Sequence, residues 1–270
     1  MNQQFLTELK AVTAENRIFT DEPMKKHTTF RVGGPADILV QPKGTELAAV
    51  IRLCRKYDVP YQVIGNGSNL LVGDRGIRGL VIEMLSKEDE ICVEDDCITV
   101  GAGMLLSKTA NRAAEHGLTG MEFAAGIPGR IGGAVVMNAG AYGGEMKDVL
   151  KEVTVLTDEG EFLTIPKEEL ELGYRTSVIA KKGYIVIEAV LELKSGNADE
   201  IRAYMDELKE KRITKQPLEY PSAGSTFKRP EGYFAGKLIQ DADLRGFQVG
   251  GAQVSEKHCG FVINKDQQIS

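Results

Sequence analysis

Four short stretches of the chain carry residue types that can do chemistry. Ile64-Gly65-Asn66-Gly67-Ser68-Asn69-Leu70-Leu71-Val72 follows an apolar run that reads as a strand. Gly65 and Gly67 permit positive φ and a close ligand approach, while Asn66, Ser68 and Asn69 add small polar groups. Successive amides in such a turn form a nest for a pyrophosphate. Leu70 stands where the G-x-G-x-x-G fingerprint has its third glycine, so this is not that fingerprint. Alone, the loop reads more simply as a turn ending a strand. In the second stretch, Gly126, Ile127, Pro128, Gly129, Gly132, Gly133 and Ala134 precede an apolar run, Val135–Met137, where a helix could start and aim its first amides at a phosphate. A tightly packed helix would also want small residues there. It would not explain why Asn138-Ala139-Gly140-Ala141-Tyr142-Gly143-Gly144 stays equally small and uncharged; such a lining suits a flat ring system. The third stretch, Gly173-Tyr174-Arg175-Thr176-Ser177, offers a guanidinium that can hold a carboxylate through two parallel hydrogen bonds, or an exposed arginine after a turn. The fourth, Pro221-Ser222-Ala223-Gly224-Ser225-Thr226-Phe227-Lys228-Arg229-Pro230, contains a literal Ser-x-x-Lys. The enzymes that use it as a nucleophile motif also carry Ser-Asp-Asn and Lys-Thr-Gly, which this chain lacks, and open a helix at the serine, whereas Pro230 and Gly232 follow here. On its own Ser225 is a turn hydroxyl capping a nearby amide, and Lys215 and Lys228 are surface lysines.

The elements that must position these stretches come from periodicity. Helices are predicted over 4–14, 45–57, 105–115 and 198–213; strands over 37–40, 61–64, 80–83, 91–94, 98–101, 153–158, 161–165 and 184–193. The first strand, helix and strand make a local β-α-β unit. Glu159-Gly160 turns a hairpin, the charged run 86–90 is a solvated connection, and Ser195-Gly196-Asn197 marks a boundary. The fold class is α+β. With 270 residues the chain can bury a sizeable core, and a net charge of −6 argues against nucleic acid as a partner. Cys54, Cys92, Cys97 and Cys259 show no C-x-x-C spacing, and His27, His116 and His258 are scattered, so no metal site is expected. There is neither the apolar run of a signal peptide nor the ~20 apolar residues of a membrane span. A cytoplasmic location with reduced thiols follows as the expectation.

Together the loops GNGSNLLV and GIPGRIGGAVVMNAGAYGG resemble the FAD-binding domain shared with vanillyl-alcohol oxidase. Within that superfamily, from about Thr28 to Asn264, the chain is similar to the UDP-N-acetylenolpyruvoylglucosamine reductase family, whose Tyr-Arg and serine motifs match Gly173–Ser177 and Pro221–Pro230. The resemblance implies an FAD-binding domain over 1–195, with α/β subdomains of about 1–84 and 85–195, and a smaller substrate domain over 196–270. It implies non-covalent FAD, NADPH as co-substrate, and a UDP-linked enolpyruvyl amino sugar as substrate. FAD contacts fall on Gly65, Asn66, Gly67, Ser68, Asn69, Leu70, Gly126, Ile127, Pro128, Gly129, Gly132, Gly133, Ala134, Asn138 and Gly140. Arg175 holds the substrate carboxylate, Ser225 donates the proton, and Lys215, Lys228 and Arg229 lie near the substrate. A monomer working in peptidoglycan precursor synthesis is implied as well.

The family pattern runs on past Ser270 through a helix and a strand bearing an active-site glutamate; Glu219 and Glu256 are wrongly placed to replace it. The chain therefore reads as a C-terminally truncated member of the family's shorter branch. Two alternatives follow: an FAD-binding protein with impaired turnover, or another oxidoreductase of the same flavin superfamily.

Overall fold

The structure, a computed structural model, describes residues 3–86 and 90–266. The chain divides into two compact units. One comprises Met1–Phe19, Ile38–Gly65 and Gly79–Lys209; the other comprises Thr20–Asp37, Asn66–Arg78 and Glu210–Ser270. The expected solvated connection at 86–90 lies largely outside the described residues.

A four-stranded sheet has the order Ile18–Pro23, Pro35–Val40, Ile77–Glu83, Tyr61–Ile64. The last two strands pair in parallel, Tyr61 against Leu80 through Ile64 against Glu83. The predicted β-α-β unit is present as Pro35–Val40, helix Gly44–Lys56 and Tyr61–Ile64, with Ile77–Glu83 inserted between its strands. The helix exists because Leu47, Val50, Ile51 and Cys54 fall on one face, and all four are buried. They pack with Phe5 and Leu9 of helix Gln3–Val12 and with Ile38, Val40, Leu80 and Ile82. Arg17 fixes the helix start through a bidentate pair with Glu46, Nη1 to Oε2 at 2.8 Å and Nη2 to Oε1 at 2.7 Å.

A second sheet is antiparallel, in the order Phe162–Pro166, Leu150–Leu156, Ile185–Glu192, Cys97–Gly101, Ile91–Glu94. Its inner face buries Ile98, Val100, Val153, Val155, Ala189 and Leu191 against helices Leu106–Glu115 and Ile131–Val136. The first unit thus holds two hydrophobic clusters, and Leu156 and Ile185 of the second sheet's strands belong to the cluster around helix Gly44–Lys56.

The second unit carries an antiparallel sheet in the order Ser222–Ser225, Phe261–Asn264, Ala252–Val254, Gln248–Val249, and a helix, Ala235–Asp241. These elements have no sequence-based forecast: strands of two to four residues are too short to show a period of two. The fold is α+β, as expected. Among the described residues no helix is long and apolar enough to cross a membrane.

Cys54 lies in the first core, where burial pushes its thiol up to about 12, whereas Cys92 is exposed. The thiolate is the reactive form, so iodoacetamide at pH 8 is expected to alkylate Cys92 and spare Cys54 in the folded protein. Peptide mass mapping checks this; labelling of Cys54 at the rate of Cys92 would contradict the packing.

Candidate active site

In the first unit, Gly65 ends strand Tyr61–Ile64 and lies against Arg130, whose Cβ would be 3.2 Å from a Cβ placed on Gly65. Arg130 precedes helix Ile131–Val136 as its N-cap and donates from Nη1 to the Gly103 carbonyl at 2.5 Å. Burial pulls its guanidinium below the ordinary value, a shift that Glu83 opposes. The buried Nε has no partner among the described residues. This arginine joins the ends of the two glycine stretches within one unit.

The helix differs from its forecast. It starts at Ile131, over the glycines themselves, and is already ending at Val136. Its first amides do not point outward: Ile131 N donates to Met104 O and Gly132 N to Ala102 O, both at 2.8 Å. Gly132 packs on Ala102, where an added Cβ would come within 3.0 Å. Gly133 is the opposite case, exposed, with no atom of the chain within 4 Å of an added Cβ. A glycine inside a helix costs roughly 1 kcal/mol relative to alanine. Packing within the chain gives no reason for that cost at Gly133, whereas a flat ligand lying on the helix does.

Asn138 is buried at φ 40° and is committed to internal contacts. Its Nδ2 donates to Glu145 Oε2 at 2.6 Å and to Gly173 O at 3.2 Å, and its Oδ1 accepts from Lys147 N at 2.9 Å. Gly140 is small because it pairs with Glu145 in a short hairpin, where a Cβ would come within 2.7 Å of the Glu145 Cβ. The family resemblance gives these two residues to the cofactor; the structure gives each a job within the chain.

Arg175 sits in the turn Gly173–Thr176 with φ 56°. That turn is tied to the glycine helix at two points. Asn138 holds Gly173, and the buried Ser177 hydroxyl donates to Val136 O at 2.8 Å while accepting from Ala180 N at 3.2 Å. The guanidinium rests 5.3 Å from the Tyr174 ring centroid and reaches Asn138 O at 3.4 Å. Among the described residues it has no carboxylate partner, so its fork of donors is available to an anion. Sequence reasoning passed over Ser177 as an anchor; Ser ahead of the apolar run Val178-Ile179 is the N-cap signal that could have found it.

In the second unit, Asn66–Leu70 forms the loop after Gly65, with Gly67 at φ 57°. A Cβ on Gly67 would lie 2.0 Å from His27 O, so only glycine fits. Ser225 ends strand Ser222–Ser225. Ser222 pairs with Ile263 and Ser225 with Phe261, which leaves one extra residue on the serine strand, and Gly224 takes φ 80° there. Such a bulge turns the following side chain. The Ser225 side chain is exposed, and no group among the described residues bonds its hydroxyl, so it caps nothing. A strand end is also not the helix start that a nucleophilic Ser-x-x-Lys requires. Lys215 closes helix Ala198–Lys215, and both Lys215 and Lys228 are exposed without an ion-pair partner among the described residues. Arg229 stacks at 4.1 Å on the Phe234 ring. No cluster of metal-binding side chains occurs among the described residues.

Residues 36–166 match the FAD binding domain family, and residues 216–270 match the C-terminal domain of UDP-N-acetylenolpyruvoylglucosamine reductase. The fold recurs in alkyldihydroxyacetonephosphate synthase (TM-score 0.54, 19% identity, 72% of this chain and 41% of that one). It recurs also in p-cresol methylhydroxylase (TM-score 0.51, 15% identity, 73% and 44%). The family match and the shared fold together define an FAD-binding protein. Greater similarity is found to UDP-N-acetylenolpyruvoylglucosamine reductase of Agathobacter rectalis, 57% identical over 99% of this chain and 89% of that protein. The reductase of Clostridium perfringens is 56% identical over 98% of this chain and 88% of its own length. The crystal structure of the Thermus caldophilus reductase superposes with TM-score 0.78 at 42% identity, covering 90% of this chain and 86% of that one. The chain belongs to the UDP-N-acetylenolpyruvoylglucosamine reductase family.

Proposed function

We propose that the protein reduces the enolpyruvyl ether of UDP-N-acetylglucosamine to the lactyl ether, UDP-N-acetylmuramate, with FAD as cofactor and NADPH as reductant. The observation that carries this reading is 57% identity to a named reductase over 99% of the chain. The open face at Gly133 supports it, because the helix offers a place where a ring can lie on backbone.

Bound FAD, reduced by NADPH, supplies the hydride that goes to the β-carbon of the enol ether. The protein's residues do the rest. Arg175 holds the carboxylate onto which negative charge spreads as hydride arrives. Ser225 protonates the α-carbon; a serine hydroxyl can do so because the developing carbanion is a strong base one hydrogen bond away. Lys215, Lys228 and Arg229 suit the substrate diphosphate by charge. Gly65–Leu70, Gly126–Gly129 and Gly132–Ala134 hold FAD, with Asn138 and Gly140 shaping that surface from behind. The FAD part is assigned to 1–195 and the substrate part to 196–270. The product feeds peptidoglycan synthesis, and through it cell shape and division, from a cytoplasmic monomer.

The primary test is the absorbance spectrum of the purified protein, followed by NADPH oxidation on adding the enolpyruvyl sugar nucleotide. A flavin spectrum with substrate-dependent NADPH oxidation is expected; a colourless protein that cannot be reconstituted with FAD would overturn the reading.

Gly133→Ala gives a test with opposite signs. The new methyl meets no atom of the chain, so the cofactor-free protein gains about 0.5–1 kcal/mol of stability from helix propensity. The same methyl stands where the ring lies, so FAD affinity falls at least roughly tenfold, about 1.4 kcal/mol. Thermal unfolding without cofactor and flavin titration by fluorescence measure the two separately. A stabilised protein with unchanged FAD affinity would remove the ring from Gly133.

A further inference from the structure

The segment His27–Val32 received no role from sequence reasoning, yet in the second unit it touches both the Gly67 loop and the strand that carries Ser225. Thr29 makes both links. Its amide donates to Gly67 O at 3.3 Å, and its hydroxyl donates to Ser222 O at 2.7 Å. Ser222 is the residue from which the bulge departs on its way to Ser225. The carbonyl that Thr29 holds therefore sets where the bulge begins and how Ser225 is presented. The segment itself is fixed by other bonds: Thr28 Oγ1 to Val32 O at 3.0 Å, Arg31 N to Thr28 O at 3.2 Å, and Asn264 Nδ2 to Phe30 O at 3.3 Å. Gly67, pressed on His27 O, completes a stack from loop to segment to serine strand.

We propose that Thr29 is a positioning residue that fixes the serine strand to the cofactor loop, so that the proton donor is presented at one set position. This rests on Ser225 being that donor. Removing only the hydroxyl leaves the amide bond to Gly67 and the bonds of the surrounding segment in place. The expected effect is thus on the step that needs Ser225, and not on cofactor binding.

The experiment uses the FAD-loaded protein and Thr29→Val, which keeps the shape of the side chain and loses the donor; Thr29→Ala serves if the valine variant does not fold. Rapid mixing follows flavin reduction by NADPH and reoxidation by the enolpyruvyl sugar nucleotide as separate steps. Reoxidation is expected to slow by between about 10- and 100-fold, since misplacing a reacting group by about 1 Å costs on the order of 10². Reduction is expected to keep its rate, and Thr29→Ser, which retains the hydroxyl, is expected to rescue reoxidation. Reoxidation at the unaltered rate in Thr29→Val, with Ser225→Ala slow in parallel, overturns the role of Thr29 and leaves that of Ser225 standing. Equal slowing of both steps, or failure of Thr29→Ser to rescue, overturns it too. If Ser225→Ala itself reoxidises normally, the proton-donor assignment fails, and that outcome is distinct from the others.

Discussion

Ser225→Ala is expected to leave the reduction of bound flavin by NADPH intact and to slow its reoxidation by the enolpyruvyl sugar nucleotide by roughly 10² to 10⁴, the usual worth of a general acid step. The two half-reactions separate because only the second creates a carbanion that must be protonated. Structural damage is not an adequate alternative. The side chain is exposed at the end of a strand, no group among the described residues bonds its hydroxyl, and the Ser225–Phe261 register belongs to backbone. Loss of the hydroxyl oxygen from such a position should change stability by no more than about 0.5 kcal/mol. Rapid-mixing absorbance of the flavin band reads both steps in one preparation, with thermal unfolding as the control. Reoxidation at the unaltered rate would remove Ser225 from the chemistry. It would also revive a family fold with different chemistry.

Removal of the Arg175 side chain is the second large effect. The substrate carboxylate gains charge between ground state and transition state, so a guanidinium that holds it contributes more at the transition state. Loss of a comparable preorganised donor costs about 10² to 10³ in rate, and a similar slowing of reoxidation is expected. Arg175→Gly is the cleaner deletion. The residue stands at φ 56°, which glycine adopts freely, and Asn138 and Ser177 hold the surrounding turn without help from the guanidinium. Arg175→Lys keeps the charge but not the fork, so it should recover only part of the rate. If the glycine variant reoxidises as fast as the unaltered protein, the carboxylate is held elsewhere.

Much of the first unit was legible because its elements are long enough to show a period. Leu47, Val50, Ile51 and Cys54 announced helix Gly44–Lys56, and Tyr61–Ile64 announced a strand that the structure reproduces residue for residue. The glycine helix starts at Ile131, four residues before the apolar run that predicts it. Glycine carries no hydrophobic pattern, so its helical state is decided by contacts, here Ile131 and Gly132 bonding to Met104 and Ala102. The long-range bonds of Ser177 and Thr29 are not legible in the sequence, because each hydroxyl's acceptor lies far along the chain, at Val136 and Ser222 respectively.

Short contiguous motifs, through the family resemblance they carry, were enough to give the family and the cofactor class, and on that resemblance Arg175 and Ser225 are the side chains we propose as reacting. Only the tertiary structure decided which members of those motifs face outward. It turned Gly133 to open space while Gly132 and Asn138 turn inward, and it bulged the strand between Ser222 and Ser225, so that Ser225 pairs with Phe261 while its hydroxyl meets no group among the described residues. The physical reason is that a motif states which groups are available, whereas hydrogen bonds between distant segments consume some of them. What remains unconsumed is what a ligand can use.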